Sequence, residues 1–456
     1  MIGGAASPRC GQMERMKYVL PFVMCLGCRG GSATPPPDGA KPDPDGMAGG
    51  DAVDPGVPCP NPGDPAGTVT VIGGASVVFH DAHGGVLSRA DSSPATGAIP
   101  PCGAVTIAID RGRFTITQLQ PGETVSFVLP DGPAEGAHRT LAIDFPLVAG
   151  ATTYTFSAGR RSDSLFGSCL GSQSATSPAT LDLDERCVAS DGTTAVSALA
   201  RDANSAVLGY ASVERVAVPA GSASIATIAA WHTETSATPV TLASFPDPTW
   251  HGQLGGNLVA GELALSGPSQ ITSALPGTMT LPSIGDGVLV TATLEHPQGH
   301  EHGIDLAQRV VATPLAAPLA FDGAADFAPH VATYTRDDRD PARPLIAWTT
   351  TRPTTGEHAL VTIADYEQEQ WFLIAPPDQP GAVRYPDLPA DLRPQSPPQT
   401  GPQALAVMVV DASLFTSYAD ARRQPLALWY PTAFLPREQI TSFTFRFSAS
   451  GDFDQP

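Results

Sequence analysis

Lysine is almost missing from this chain: its 456 residues include two, Lys17 and Lys41, against 23 arginines. With 45 acidic residues the formal charge is −20, and a surface of that sign repels phosphate backbones, which excludes nucleic acid as a partner. Long apolar runs are missing too. The stretch Tyr18 to Gly27 has ten residues, half of what a bilayer-spanning helix needs. Helical periodicity is scarce, and 45 glycines with 47 prolines argue for many turns instead. Nor is there a G-x-S-x-G elbow, a P-loop, a dinucleotide G-x-G-x-x-G or an H-E-x-x-H helix. That removes the enzymes recognised by those motifs. It leaves convergent triads and paired carboxylates, whose members lie far apart in sequence. No cofactor is called for.

What is present begins with an address. Arg15 and Lys17 precede the short apolar run, and Leu26, Gly27 and Cys28 close it. A basic n-region, a short h-region and small residues at a cleavage point describe an export signal, with translation starting at Met1, Met13 or Met16. The ending Cys25-Leu26-Gly27-Cys28 resembles the lipobox of bacterial lipoproteins, which implies a lipid on Cys28 and a membrane as partner through it. Arg29 in place of Asp implies, by that family's sorting rule, the outer membrane or cell surface. The alternative is a leader cleaved without lipidation and a secreted or periplasmic protein. Residues 29–66 are rich in Pro, Gly and Asp and bury almost nothing, so they are expected to form a disordered tether after the 1–28 leader.

Of seven cysteines, Cys10 and Cys25 fall in the leader and Cys28 is assigned to the lipid. Cys59, Cys102, Cys169 and Cys187 remain, an even number that points to disulfides in an exported chain. Three connectivities are possible. Pairing sequence neighbours gives Cys59–Cys102 and Cys169–Cys187, the second closing a loop of about 19 residues worth roughly 3 kcal/mol in the chain-entropy picture. None of the four has the C-x-x-C spacing of a zinc site.

From Gly67 onward the dominant period is two, in short β-branched runs broken by turn residues every 8 to 12 or so positions. This predicts an all-β fold of tandem antiparallel β-sandwich domains, Ig-like or transthyretin-like, in blocks 67–132, 133–245, 246–329 and 330–456. The stretches "ASVVFHDAHGGVLSR", "TGAIPPCGAVTIAI" and "PGETVSFVLP" resemble the carboxypeptidase regulatory-like, transthyretin-like module of bacterial surface proteins over Gly67 to Pro130. That resemblance implies a sandwich without catalytic residues. Apolar strands ending in Trp231 and Trp348 recur without amounting to a sequence repeat. Asp202, Ala203 and Asn204 mark a hairpin turn, residues 376–402 read as a long surface excursion, and helix is limited to a turn or two within 324–336 and 413–425.

Chemistry-bearing residues cluster at "LEHPQGHEHG", where His296, His300 and His302 with Glu301 have the donor types of a Zn²⁺ or Cu²⁺ site. Pro297 and Gly299 make this a loop, and a solvated polar loop is the plainer reading. His80, Asp81 and His83 fit an ordinary turn. Asp182, Asp184 and Glu185, and Asp337, Asp338 and Asp340, lack the register of a calcium loop and read as surface or arginine-paired charges. The expected function is a non-catalytic cell-envelope lipoprotein with a binding or structural role toward an envelope protein or glycan. The alternative is an anchored or secreted hydrolase of polysaccharide or peptide with accessory sandwiches. A third reading has exposed edge strands pairing with neighbours in a larger envelope assembly.

Overall fold

The computed structural model describes residues 64–451, apart from short internal segments of which 129–138, 160–168, 395–404 and 430–442 are the longest. The leader and nearly all of the tether lie outside the described residues. Alternating β-branched and aromatic residues, interrupted by Gly, Pro and Asp, give strands almost throughout, and these fall into four groups of seven. The first holds β1 (Gly67–Ile72), β2 (Ser76–His80), β3 (Val86–Ala90), β4 (Ala95–Ile99), β5 (Gly103–Ile109), β6 (Gly112–Leu119) and β7 (Thr124–Ser126). The second holds β8 (Arg139–Asp144), β9 (Thr153–Gly159), β10 (Cys169–Ser174), β11 (Ala179–Leu183), β12 (Thr193–Arg201), β13 (Val207–Ala217) and β14 (Ser224–Thr227). The third holds β15 (Thr238–Ser244), β16 (His251–Ala260), β17 (Leu263–Thr272), β18 (Gly277–Leu281), β19 (Gly287–Gln298), β20 (Glu301–Ala312) and β21 (Leu319–Asp322). The fourth holds β22 (Val331–Asp337), β23 (Leu345–Thr350), β24 (Ala359–Tyr366), β25 (Glu369–Ala375), β26 (Ala382–Arg384), β27 (Leu405–Ala412) and β28 (Thr444–Gly451), with one helix, α1 (Tyr418–Arg423).

Three of the four share one topology. In the first, β4-β1-β7 and β3-β2-β5-β6 form the two sheets; in the second, β11-β8-β14 and β10-β9-β12-β13; in the third, β18-β15-β21 and β17-β16-β19-β20. Each is the order 4-1-7 against 3-2-5-6. In each the seventh strand runs parallel to the first, a departure from the all-antiparallel pairing expected from the sequence. The likeness reaches individual bonds. Ser93-Pro94-Ala95-Thr96 leads into β4 and Ser177-Pro178-Ala179-Thr180 into β11, both with a cis Ser-Pro peptide. Ser93 Oγ accepts the amide of Gly73, just past β1, at 2.6 Å, and Ser177 Oγ accepts that of Phe145, just past β8, at 3.0 Å. The fourth sandwich is different: β22-β23-β26 and β25-β24-β27-β28, or 1-2-5 against 4-3-6-7.

The larger sheets do not stay separate. β20 pairs antiparallel with β28, and β25 pairs parallel with β6, from Gln370 opposite Gly112 to Ile374 opposite Ile116. One twelve-stranded sheet results, ordered β17-β16-β19-β20-β28-β27-β24-β25-β6-β5-β2-β3. The fourth sandwich therefore joins the third to the first. Three of the blocks read from sequence thus share a hydrogen-bonded ladder, and the boundary read at 245/246 moves upstream of β15, whose Val240 and Leu242 are buried in the third sandwich's core. Both ends of the ladder are blunted. β3 carries a bulge at Leu87 and a charge at Arg89, while β17 contains Pro268, which has no N–H to offer, beside a register shift. Such features discourage further strand addition.

The burial patterns follow. β11 alternates cleanly, with Ala179, Leu181 and Leu183 buried and Thr180 and Asp182 exposed, as expected of a sheet with one wet face. β5, β6 and β25 are buried on consecutive residues. Their sheet is covered on both faces, by β4-β1-β7 on one side and by the fourth sandwich on the other. The segment 376–402, read as a surface excursion, supplies part of that cover. It contains β26, and Tyr385, Leu388 and Leu392 pack with Val78, Ala108, Trp348 and Trp371. The hairpin at Asp202 forms as read, its carboxylate accepting the Asn204 amide at 2.8 Å. α1 falls within 413–425, whereas 324–336 holds turns and β22 rather than helix.

Candidate functional site

Several residues singled out from sequence, Cys28, Cys59, Cys187 and His300, lie outside the described residues. Cys102 sits between β4 and β5 with a φ of 60°, is 5% exposed and is disulfide-bonded. Cys169 opens β10 opposite Ala158. His296 and His302 occupy a hairpin rather than a loop, because the β19–β20 ladder runs on to Gln298 opposite Glu301. His296 pairs with Gly303 and Pro297 with His302, so the two histidine positions alternate between faces of the pleat. Among the described residues no group of three His, Cys, Asp or Glu is placed to hold a metal ion. Asp337 pairs with Arg339 at 2.6 Å, the arginine-paired loop expected there.

The densest chemistry lies at the seam where β6 meets β25. On one face Phe114 and Phe372 stack at 4.6 Å with nearly parallel rings, and the Trp429 ring is edge-on to both. On the other face a chain of polar side chains crosses four strands. Trp371 Nε1 donates to Thr115 Oγ1 at 2.9 Å, the Thr115 and Thr106 hydroxyls are 2.8 Å apart, and Thr106 Oγ1 is 2.9 Å from His80 Nε2. Indole only donates and each hydroxyl has one hydrogen. The order that places every hydroxyl hydrogen within the chain therefore runs from Trp371 through Thr115 and Thr106 to His80, with Nε2 as acceptor and the proton on Nδ1. Tyr385 caps the same region, its hydroxyl donating to the Trp371 carbonyl at 3.1 Å and accepting from Thr362 at 2.9 Å.

Ion pairs pin the seam from both ends. The buried Arg422 of α1 reaches Glu123 Oε1 at 2.6 Å through Nη2 and donates from Nη1 to the Gln118 carbonyl at 2.6 Å. Arg423 adds a second contact to that carboxylate at 3.3 Å, and the Gln120 amide donates to Oε2 at 2.9 Å. Tyr418 donates to the Thr117 and Ile374 carbonyls, one on each side of the seam, and burial pushes its phenol well above the usual range. Arg113 of β6 donates to the Leu392 carbonyl at 3.0 Å and pairs with Glu369 at 3.3 Å. Arg89 of β3 meets Asp391 at 2.6 Å. None of this carries a sequence motif, since the ion pairs across the seam join residues 256 to 302 positions apart.

A second cluster lies at the start of β24 and the end of β27. Arg446 bridges Asp411 Oδ2 at 2.8 Å and Glu357 Oε1 at 3.2 Å, while His358 Nδ1 contacts Asp411 Oδ1. Burial opposes the charge on Asp411, but the His358 hydrogen bond and Arg446 hold its carboxyl below the usual range. Burial pushes Glu357 up. A carboxylate against an imidazole is the orienting half of a hydrolytic triad. Here the other carboxylate oxygen is taken by Arg446, and the group ties together β24, β27 and β28.

The sequence matches no protein-family profile and no curated protein. Among solved structures, one described as structural insight into host cell surface retention of a 1.5-MDa bacterial ice-binding adhesin aligns with 61% of this chain and 93% of its own, at 9% identity and a TM-score of 0.14. A likeness that distant carries no structural argument.

Proposed function

We propose that this is a non-catalytic lipoprotein of the cell envelope, anchored through Cys28, held off the membrane by the 29–66 tether, and presenting four sandwiches, three of them fused through one sheet, to an envelope protein or glycan. The observation that carries the reading is the fusion itself: the charged side chains buried at the seam are committed to joining the first sandwich to the fourth. A body built that way suits rigid display. The carboxypeptidase regulatory-like resemblance is drawn on the first sandwich alone; its strand order recurs in the second and third, and its serine contact in the second. The hydrolase alternative would rest on His358 and Asp411, and the engagement of both Asp411 oxygens speaks against it.

The test is mass spectrometry of the protein taken from membranes of its own cells, digested without reduction. The expected result is an amino-terminal peptide that begins at a lipid-modified Cys28, with peptides linked Cys59–Cys102 and Cys169–Cys187. Cys28→Ala should move the protein into the soluble fraction. An intact leader together with free thiols at Cys59, Cys169 and Cys187 would overturn the anchoring and the compartment together.

A further inference from the structure

His80 ends β2 where the segment 385–393 of the fourth sandwich comes down as a roof. Its side chain is fully buried. Three elements face it: its own turn, with Asp81 and the Gly84 carbonyl; β5, with Thr106; and the roof side, with Asp387 and Arg343. The roof is held at its rim. The Asp387 amide donates to the Gly84 carbonyl at 2.9 Å, Arg343 Nη2 donates to the His83 carbonyl at 2.6 Å, and Arg89 pairs with Asp391. Gly84 permits the close approach, with a φ of +80° and room so tight that a Cβ would lie 2.8 Å from Pro386 Cα.

A ring in this place tolerates one proton, not two. Nε2 accepts from Thr106, and Nδ1, on the side of Gly84, has no partner within hydrogen-bond geometry. A proton on Nε2 would force the Thr106 hydroxyl to turn toward Thr115, leaving the Thr115 hydrogen without an acceptor in the chain. The buried cation would face Arg343 as well as the two aspartates.

We propose that His80 is an acid-sensitive latch: protonation of its ring releases the roof 385–393 from the β2–β3 turn and hydrates the seam, while the second sandwich stays folded. The electrostatics agree in sign. Burial outweighs the pull of Asp81 and Asp387 and lowers the His80 pKa from 6.5 to about 4. The open state therefore binds a proton that the closed state refuses, and the closed state loses ground as pH falls from 6.5 toward 4. With those two values the open-to-closed ratio at pH 5 is about 30-fold its value at pH 8. The Arg89–Asp391 pair keeps its charge through this range, because Arg89 holds the Asp391 carboxyl below its ordinary value.

Hydrogen–deuterium exchange of the full chain, corrected for the intrinsic rate, tests this at peptides covering 83–90 and 385–393. Exchange there should rise about 30-fold between pH 8 and pH 5, with β12 and β13 unchanged. His80→Gln should abolish the rise, and His83→Gln, in the exposed part of the same turn, should keep it. If His80→Gln does not fold, exchange of the His80 ring C2 hydrogen in the unaltered chain takes its place, and, divided by the intrinsic rate of a free imidazole at the same pH, it should rise with the same midpoint as the roof. A roof indifferent to pH, an equal response in His80→Gln, or a roof that opens while the His80 ring stays protected would overturn the latch.

Discussion

Trp371→Ala is expected to lower stability by about 4 kcal/mol, and to do so in the first sandwich as well as in its own. The size comes from removing a fully buried indole, a change that costs roughly 3 to 5 kcal/mol in well-packed cores. Trp371 is 1% exposed and lies edge-on to Tyr385 at 4.8 Å. Its loss also strips Thr115 of a donor. The reach into the first sandwich is the informative part. If β25 and β6 belong to one ladder, amides of β5 and β6 should lose exchange protection in the variant together with those of β24. Trp371→Phe, which keeps most of the volume and discards the N–H, should cost only about 1 to 2 kcal/mol. Denaturant midpoints read by far-ultraviolet circular dichroism, with exchange on the same samples, would show both. Unchanged protection in β5 and β6 would separate the sandwiches.

The second large effect concerns Arg422. Removing one member of a buried ion pair strands the other charge, which typically costs about 3 to 5 kcal/mol. Arg422→Ala would strand Glu123, leaving only the half-exposed Arg423 and the Gln120 amide beside it. α1 is a six-residue helix with no side-chain N-cap, too short to persist without tertiary contacts. It should therefore come away from β6 and β7. The double variant Glu123→Leu with Arg422→Met should be markedly less damaging than Arg422→Ala, because no charge is left unpaired. A single-variant loss under about 1 kcal/mol in the same denaturation experiment would mean that the pair does not hold the seam.

Period-two patterning and turn residues made the all-β architecture legible, and they located the hairpin at Asp202 and the helix near Tyr418. The internal repeat was less visible, because it resides in strand order rather than in residues. Its clearest trace was the recurrence of Ser-Pro-Ala-Thr at 93 and 177. The seam was illegible for a physical reason. Pairing of β6 with β25 is backbone pairing between strands more than 250 residues apart, and an apolar run such as "QWFLIA" looks the same in a lone sandwich as in a joined one. The roof misled through composition. Pro386 and Pro389 announce a loop, yet Tyr385, Leu388 and Leu392 between and after them are large apolar residues that a solvated excursion has no use for. At His80 the turn reading held for its neighbour, since Asp81 accepts the amides of His83 and Gly85 at 2.8 Å each. The burial of His80 itself depends on residues some 300 positions away.

The account stands or falls on the first and fourth sandwiches being docked as one body. Arg89 and Asp391 sit 2.6 Å apart across that junction, 302 residues apart in sequence, with side chains open enough to be replaced by cysteine without disturbing a core. Treating the Arg89→Cys, Asp391→Cys chain, with its two introduced cysteines kept as free thiols, with a short bifunctional maleimide should link the two positions within one molecule, as read by tryptic peptide mapping. If the two cysteines react singly, or link only between molecules, the sandwiches are not joined in this way.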